Sequence, residues 1–143
     1  MTKWLSVPVL ALGLVTLAAS GSGASSFTVG NIQGTYGFSF DGAFVDGTRV
    51  AAVGSLFADG HGNILNGVRT LSVGYSTGAA VIHQTFSCMY SVDPTGMGTA
   101  TCQFVPGHTE TLAFLVMSNN EVQLIGTDAT SVVHGVAKKQ SSP

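Results

Sequence analysis

Polar and apolar residues alternate along most of this chain, and short glycine-rich turns punctuate the alternation. Tyr36, Phe38 and Phe40 alternate with Gly37 and Ser39, which predicts a first strand with one apolar face. Arg49 to Ala58 and Asn63 to Val73 repeat the pattern on either side of the turn Asp59-Gly60-His61-Gly62. Further strands are predicted over Ala79 to Val92, Gly98 to Val105, Glu110 to Met117, Val122 to Thr127 and Ser131 to Ala137. No stretch beyond the N-terminal segment carries the 3.6-residue period of a helix. Eight evenly spaced antiparallel strands joined by short turns predict an all-β fold, an up-and-down barrel whose closure removes both exposed edges. The alternative is a β-sandwich, which needs longer connections across its ends than these turns supply.

One hairpin specifies its own register. Thr85 to Val92 and Gly98 to Val105 both alternate, and Asp93-Pro94-Thr95-Gly96 between them is turn chemistry. Folding about Thr95 sets Cys88 opposite Cys102, Tyr90 opposite Ala100 and Phe86 opposite Phe104, all on one face. The chain has only these 2 cysteines and no C-x-x-C pair, so a cross-strand disulfide between Cys88 and Cys102 is expected.

The N-terminus has a different character. Lys3 precedes an apolar run from Trp4 to Ala19, and Ser22-Gly23-Ala24 satisfies the small-x-small rule for signal peptidase. Residues 1–24 are therefore expected to be a cleavable signal peptide rather than a permanent membrane span, for which the run is short. No cysteine follows it to accept a lipid. Residues 25–33 then form a lead-in, 34–137 the barrel and 138–143 a flexible tail. The protein is expected to be secreted or periplasmic, a compartment in which a disulfide persists.

Composition narrows the function. Charged residues are 8% of the chain, against about 25% in ordinary soluble domains, and 19 glycines and 45% hydrophobic residues take their place. The net charge is −2. Arg49 and Arg69 stand apart and Lys138-Lys139 lie near the C-terminus, so no basic stripe exists and nucleic acid is not an expected partner.

Gly34-Thr35-Tyr36-Gly37-Phe38, the turn Asp59-Gly60-His61-Gly62-Asn63 and the run Tyr90-Ser91-Val92-Asp93 with Gly96, Gly98 and Thr99 resemble small exported bacterial barrels of lipocalin-like, or calycin-type, shape. Gly34-Thr35-Tyr36 stands where lipocalins carry Gly-x-Trp. The resemblance implies a barrel able to hold a small apolar ligand, and carries over no catalytic residue.

Three motifs are better explained as turns or isolated residues. Gly74-Tyr75-Ser76-Thr77-Gly78 fits the G-x-S-x-G of a hydrolase elbow, but no helix follows it, so it reads as a hairpin loop. Asp59, His61 and Asn63 share the spacing of a calcium loop, yet Ile64 and Thr70 replace its required Gly and Glu. His61, His83, His108 and His134 show no paired metal-ligand spacing, and no metal or cofactor is expected.

Polar residues on apolar parities mark the candidate site. Arg69 shares its parity with Leu65, Leu71 and Val73, Gln84 with Ile82 and Phe86, and His134 with Val132 and Val136. If these faces point inward, Arg69, Gln84, the Tyr90 hydroxyl and His134 converge among walls formed by Phe38, Phe40, Phe86, Phe104 and Phe114. An apolar pocket with a few polar groups is the usual form of a small-molecule site. A buried Arg69 needs a partner, which a ligand carboxylate could supply. The expected function is thus an exported, non-enzymatic barrel binding a small, mostly apolar and in one version acidic ligand. The alternative is an interaction protein that self-associates through the Glu110–Met117 strand. That strand is apolar on both parities, with Ala113, Leu115 and Met117 opposite Leu112, Phe114 and Val116.

Overall fold

The structure, a computed structural model, describes residues 26–142. The expected signal peptide, residues 1–24, lies outside the described residues. A 3-10 turn, Val29–Asn31, leads into eight strands: β1 (Gln33–Phe44), β2 (Arg49–Asp59), β3 (Asn63–Tyr75), β4 (Gly78–Val92), β5 (Met97–Val105), β6 (His108–Ser118), β7 (Glu121–Gly126) and β8 (Ser131–Lys139). Each strand pairs antiparallel with its neighbours in sequence, and β8 returns to β1, so the sheet is a closed up-and-down barrel rather than a sandwich.

The alternation that predicts the strands also sorts their faces. Phe86, Cys88 and Tyr90 of β4, Ala100, Cys102 and Phe104 of β5, and Phe114 and Val116 of β6 are buried inside. Thr99, Thr101, Ser87 and Ser91 face outward. The outer face is mixed, since Val81, Met89, Val105 and Val132 are exposed on it as well. The hairpin register is the expected one: Cys88 pairs with Cys102, Tyr90 with Ala100 and Phe86 with Phe104, and the disulfide is formed.

Two details depart from the sequence reading. Asn66, at φ 53°, sits where the β3–β4 register shifts between Ile64 and Gly67. This bulge puts one extra residue into β3 and reverses its parity, so Leu65 faces outward, 43% exposed, instead of sharing the inner face with Arg69. At the C-terminus, Lys138 pairs with Glu121 and Lys139 with Tyr36. These two lysines therefore belong to β8 and not to a tail.

The turns use the chemistry their residues suggest. The Asp59 carboxylate accepts hydrogen bonds from the His61 and Asn63 backbone N–H groups and from the Asn63 side chain, at 2.8, 3.0 and 2.8 Å. Its oxygens are spent on the hairpin itself, so the calcium-like spacing is a turn. These bonds hold its pKa below the ordinary carboxylate value, the Asn63 amide first among them. The G-x-S-x-G run forms the β3–β4 turn, with Tyr75 paired to Gly78. Among the described residues no group of three or more His, Cys, Asp or Glu could hold a metal ion, and no helix is long and apolar enough to cross a membrane.

Candidate functional site

One end of the barrel is closed. Thr28 caps the 3-10 turn, accepting from the Gly30 N–H at 3.2 Å, while the Asn31 side chain accepts from the Thr28 N–H at 2.7 Å. This turn sets Ile32, 7% exposed, across the bottom of the barrel. The Tyr90 hydroxyl lies within hydrogen-bonding distance of two backbone oxygens there, Ile32 O at 2.9 Å and Val29 O at 3.1 Å. The Tyr36 hydroxyl donates to Asn119 O at 2.9 Å, tying β1 to the β6–β7 turn. Burial raises both phenol pKa values above the ordinary one. Tyr90 therefore closes the barrel, and its hydroxyl is committed to the backbone rather than to a ligand.

The other end is open. Phe44, Tyr75 and Ile82 stand at its rim, 36%, 54% and 39% exposed. Between rim and floor the barrel encloses a cavity of about 590 Å³. Phe38, Phe86, Phe104 and Phe114 line it as expected, with Phe40, Tyr36 and the disulfide sulfurs' residues among the other walls. The Phe86 and Phe104 ring centroids are 5.0 Å apart, and Phe38 meets Phe86 edge-on at 5.8 Å.

Arg69 and Gln84 both point inward, and they sit opposite each other on β3 and β4. The Arg69 side chain is only 3% exposed. Its guanidinium carbon lies over the Phe104 ring, 3.7 Å from the centroid. Its Nε donates to Gln84 Oε1 at 2.8 Å, and its two terminal nitrogens donate to the two Glu110 oxygens at 2.8 and 2.6 Å. Glu110 thus supplies the carboxylate that a ligand was expected to bring. The His108 ring also stacks on Phe104, with centroids 5.0 Å apart, and its Nε2 is 2.9 Å from Glu110 Oε1. Burial raises the Glu110 pKa, but the hydrogen bonds from Arg69 and His108 outweigh it, and the carboxyl is held below its ordinary 4.5.

His134 is placed elsewhere. It lies on the outer face of β8, its side chain 74% exposed and its Nε2 3.8 Å from Asp41 Oδ1. β8 is apolar on both parities, and the inward set is Val133, Gly135 and Ala137, with Gly135 directly across from Phe40. The sequence reading chose the wrong parity because Val132 and Val136 are as apolar as the residues that face in. It also did not pick out Glu110 as a site residue. A signal was there, since Glu110 shares the inward parity of Leu112, Phe114 and Val116.

No protein-family model matches the sequence, and no curated protein is significantly similar to it. The fold does have solved counterparts. A redesigned β-barrel, mFAP1, bound to DFHBI is 11% identical and superposes with a TM-score of 0.53 over 81% of this chain and 100% of its own. A second structure, EF1p2_mFAP2b bound to DFHBI, is 10% identical with a TM-score of 0.51, over 82% and 100% of the two chains. The redesigned barrel b11L5F_LGL is 12% identical with a TM-score of 0.50, over 79% and 95%. At these identities the likeness is one of fold: the chain has the closed eight-stranded architecture of these barrels.

Proposed function

We propose that this chain is an exported, non-enzymatic barrel that binds one small, mostly apolar molecule inside its cavity. The observation that carries the reading is the cavity itself: about 590 Å³, floored by Ile32, open at the other end and aromatic on its walls, with the Arg69–Gln84–Glu110 cluster among them. That volume lies within the ~300–1,000 Å³ range of small-molecule pockets. Two solved barrels of this fold are bound to DFHBI, which supports the reading. Export, and kinship with exported bacterial barrels of lipocalin-like shape, belong to the same reading. They are supported by the apolar run from Trp4 to Ala19, the small residues at Ser22-Gly23-Ala24 and the paired cysteines.

The direct test is native mass spectrometry of the protein purified from an exported fraction, followed by titration with the neutral solvatochromic dye prodan. A mass a few hundred daltons above the polypeptide, or a blue shift of the dye that the bound molecule suppresses, supports the reading. A bare polypeptide mass together with an unshifted dye overturns it.

One observation favours action through the outer surface as a second reading. Met97, Leu115, Met117 and Ile125 are 47%, 36%, 53% and 52% exposed on the outer faces of β5, β6 and β7, with Met97 directly across from Leu115. Because every strand is paired on both sides, such an association would use this face and not a strand edge. Sedimentation of the protein at rising concentration separates the two readings.

A further inference from the structure

The polar cluster in the cavity has a selectivity of its own. A guanidinium carries five N–H donors, and three of those on Arg69 are taken by Gln84 and Glu110. Two donors remain on a side chain that is 3% exposed and lines the cavity. The Gln84 amide, whose oxygen is occupied by Arg69, adds two more N–H groups beside them. The cluster therefore has surplus donors and no surplus charge, because the Arg69 cation is already matched by the Glu110 carboxylate.

We propose that the cavity selects uncharged ligands that present a hydrogen-bond-accepting oxygen, such as a carbonyl, to Arg69 and Gln84, and discriminates against carboxylates of the same shape. The proposal rests on the reading of the cavity as a ligand site and names the chemistry of its ligand. A neutral carbonyl oxygen, with two lone pairs, accepts from two of the remaining donors without disturbing the Arg69–Glu110 pair. A carboxylate would place a second anion beside one guanidinium, and either it or Glu110 would be left buried without a full counter-charge. A hydrocarbon would leave the donors without a partner at the moment it excludes water from them.

The test uses three planar molecules of nearly equal size, 2-acetylnaphthalene, 2-ethylnaphthalene and 2-naphthoate, titrated calorimetrically into the purified protein. The ketone is expected to bind about tenfold more tightly than the hydrocarbon, the ratio that one hydrogen bond to a charged donor provides, with the naphthoate weakest. Equal affinities for ketone and hydrocarbon would overturn the selectivity while leaving the ligand-binding reading in place. Tightest binding of the naphthoate would overturn it in favour of an acid that displaces Glu110. Binding of none of the three would remove the cavity reading itself. The double variant R69M/E110M takes away both charges together and is expected to keep the affinity for the hydrocarbon and lose the preference for the ketone. Q84L, which leaves the ion pair in place, is expected to lose part of that preference. A preference unchanged in either folded variant would overturn the proposal.

Discussion

Phe38 on β1 stands directly across from Gly54 on β2, and its ring covers the place that a Gly54 side chain would occupy. The same relationship recurs twice around the barrel. Phe86 lies over Gly67 and Phe114 over Gly98, each in direct cross-strand register. A glycine inside a strand is costly, since it brings backbone freedom and no packing surface. Here it gives an aromatic ring room to lie against the wall instead of projecting toward the axis. Eight strands enclose a space just wide enough for side chains to fill or for one small ligand. Three rings folded back onto glycines favour the hollow outcome.

Gly67 offers the cleanest trial of this idea. The three atoms nearest a Cβ there all belong to the Phe86 ring, the closest at 2.5 Å. Gly67→Ala is expected to push the Phe86 ring toward the axis, costing about 1–3 kcal/mol of stability as overpacking usually does. It should also weaken prodan binding. Adding Phe86→Leu to Gly67→Ala should recover part of both losses, read by urea unfolding and dye titration.

The Arg69–Glu110 pair should behave as a unit. Arg69→Met leaves a largely buried carboxylate without its cation and is expected to cost about 3 kcal/mol, the low end for a broken buried pair because Glu110 is one-third exposed. The double variant R69M/E110M should be closer to wild type than Arg69→Met alone. A double-mutant cycle in urea measures the coupling, and additive effects would show that the pair is not coupled.

Acid should reveal the same carboxylate. Because the folded Glu110 pKa is below its ordinary 4.5, the ion pair contributes stability that is fully present above that value. The contribution is lost as pH falls from about 4.5 through the depressed folded value. Asp46, Asp59 and Asp93 are also held low by turn hydrogen bonds, chiefly from Thr48, Asn63 and Thr95, and share this acid limb. Glu110→Gln is therefore expected to flatten part of the stability-versus-pH curve below about 5 and to leave the rest. An unaltered curve would place the acid sensitivity in the turns alone.

The disulfide bridges residues 14 apart in sequence. Replacing both cysteines by serine should lower the unfolding free energy by about 3 kcal/mol in the chain-entropy model. Thermal unfolding with and without reductant checks it, and an unchanged midpoint would mean that the β4–β5 hairpin is as constrained without the bridge.

Much of this architecture could be read from the chain, for definite physical reasons. The Cys88–Cys102 register was legible because three inward pairs had to agree at once. The strand limits were legible because turn residues such as Asp59, Asp93 and Gly96 bracket them. His134 was misplaced because β8 offers two apolar faces, and alternation cannot choose between them. Leu65 was misplaced because the bulge at Asn66 leaves no mark in a polar-apolar pattern. The bond from Arg69 to Glu110 joins strands three apart in order, and local spacing says nothing of contacts across a barrel's interior. The glycines beneath the phenylalanines were visible only as a count until the register set them face to face.

The return of β8 to β1 has a consequence for whatever the chain is joined to. Lys139 sits beside Tyr36, the Gln140 N–H donates to Thr35 O, and the Val29–Asn31 turn lies at the same end. Both exits from the ring thus leave on the floor side, facing away from the rim formed by Phe44, Tyr75 and Ile82. A fusion partner joined directly at residue 26 or residue 142 would meet the barrel at its base, as a stem meets a cup, opposite the opening.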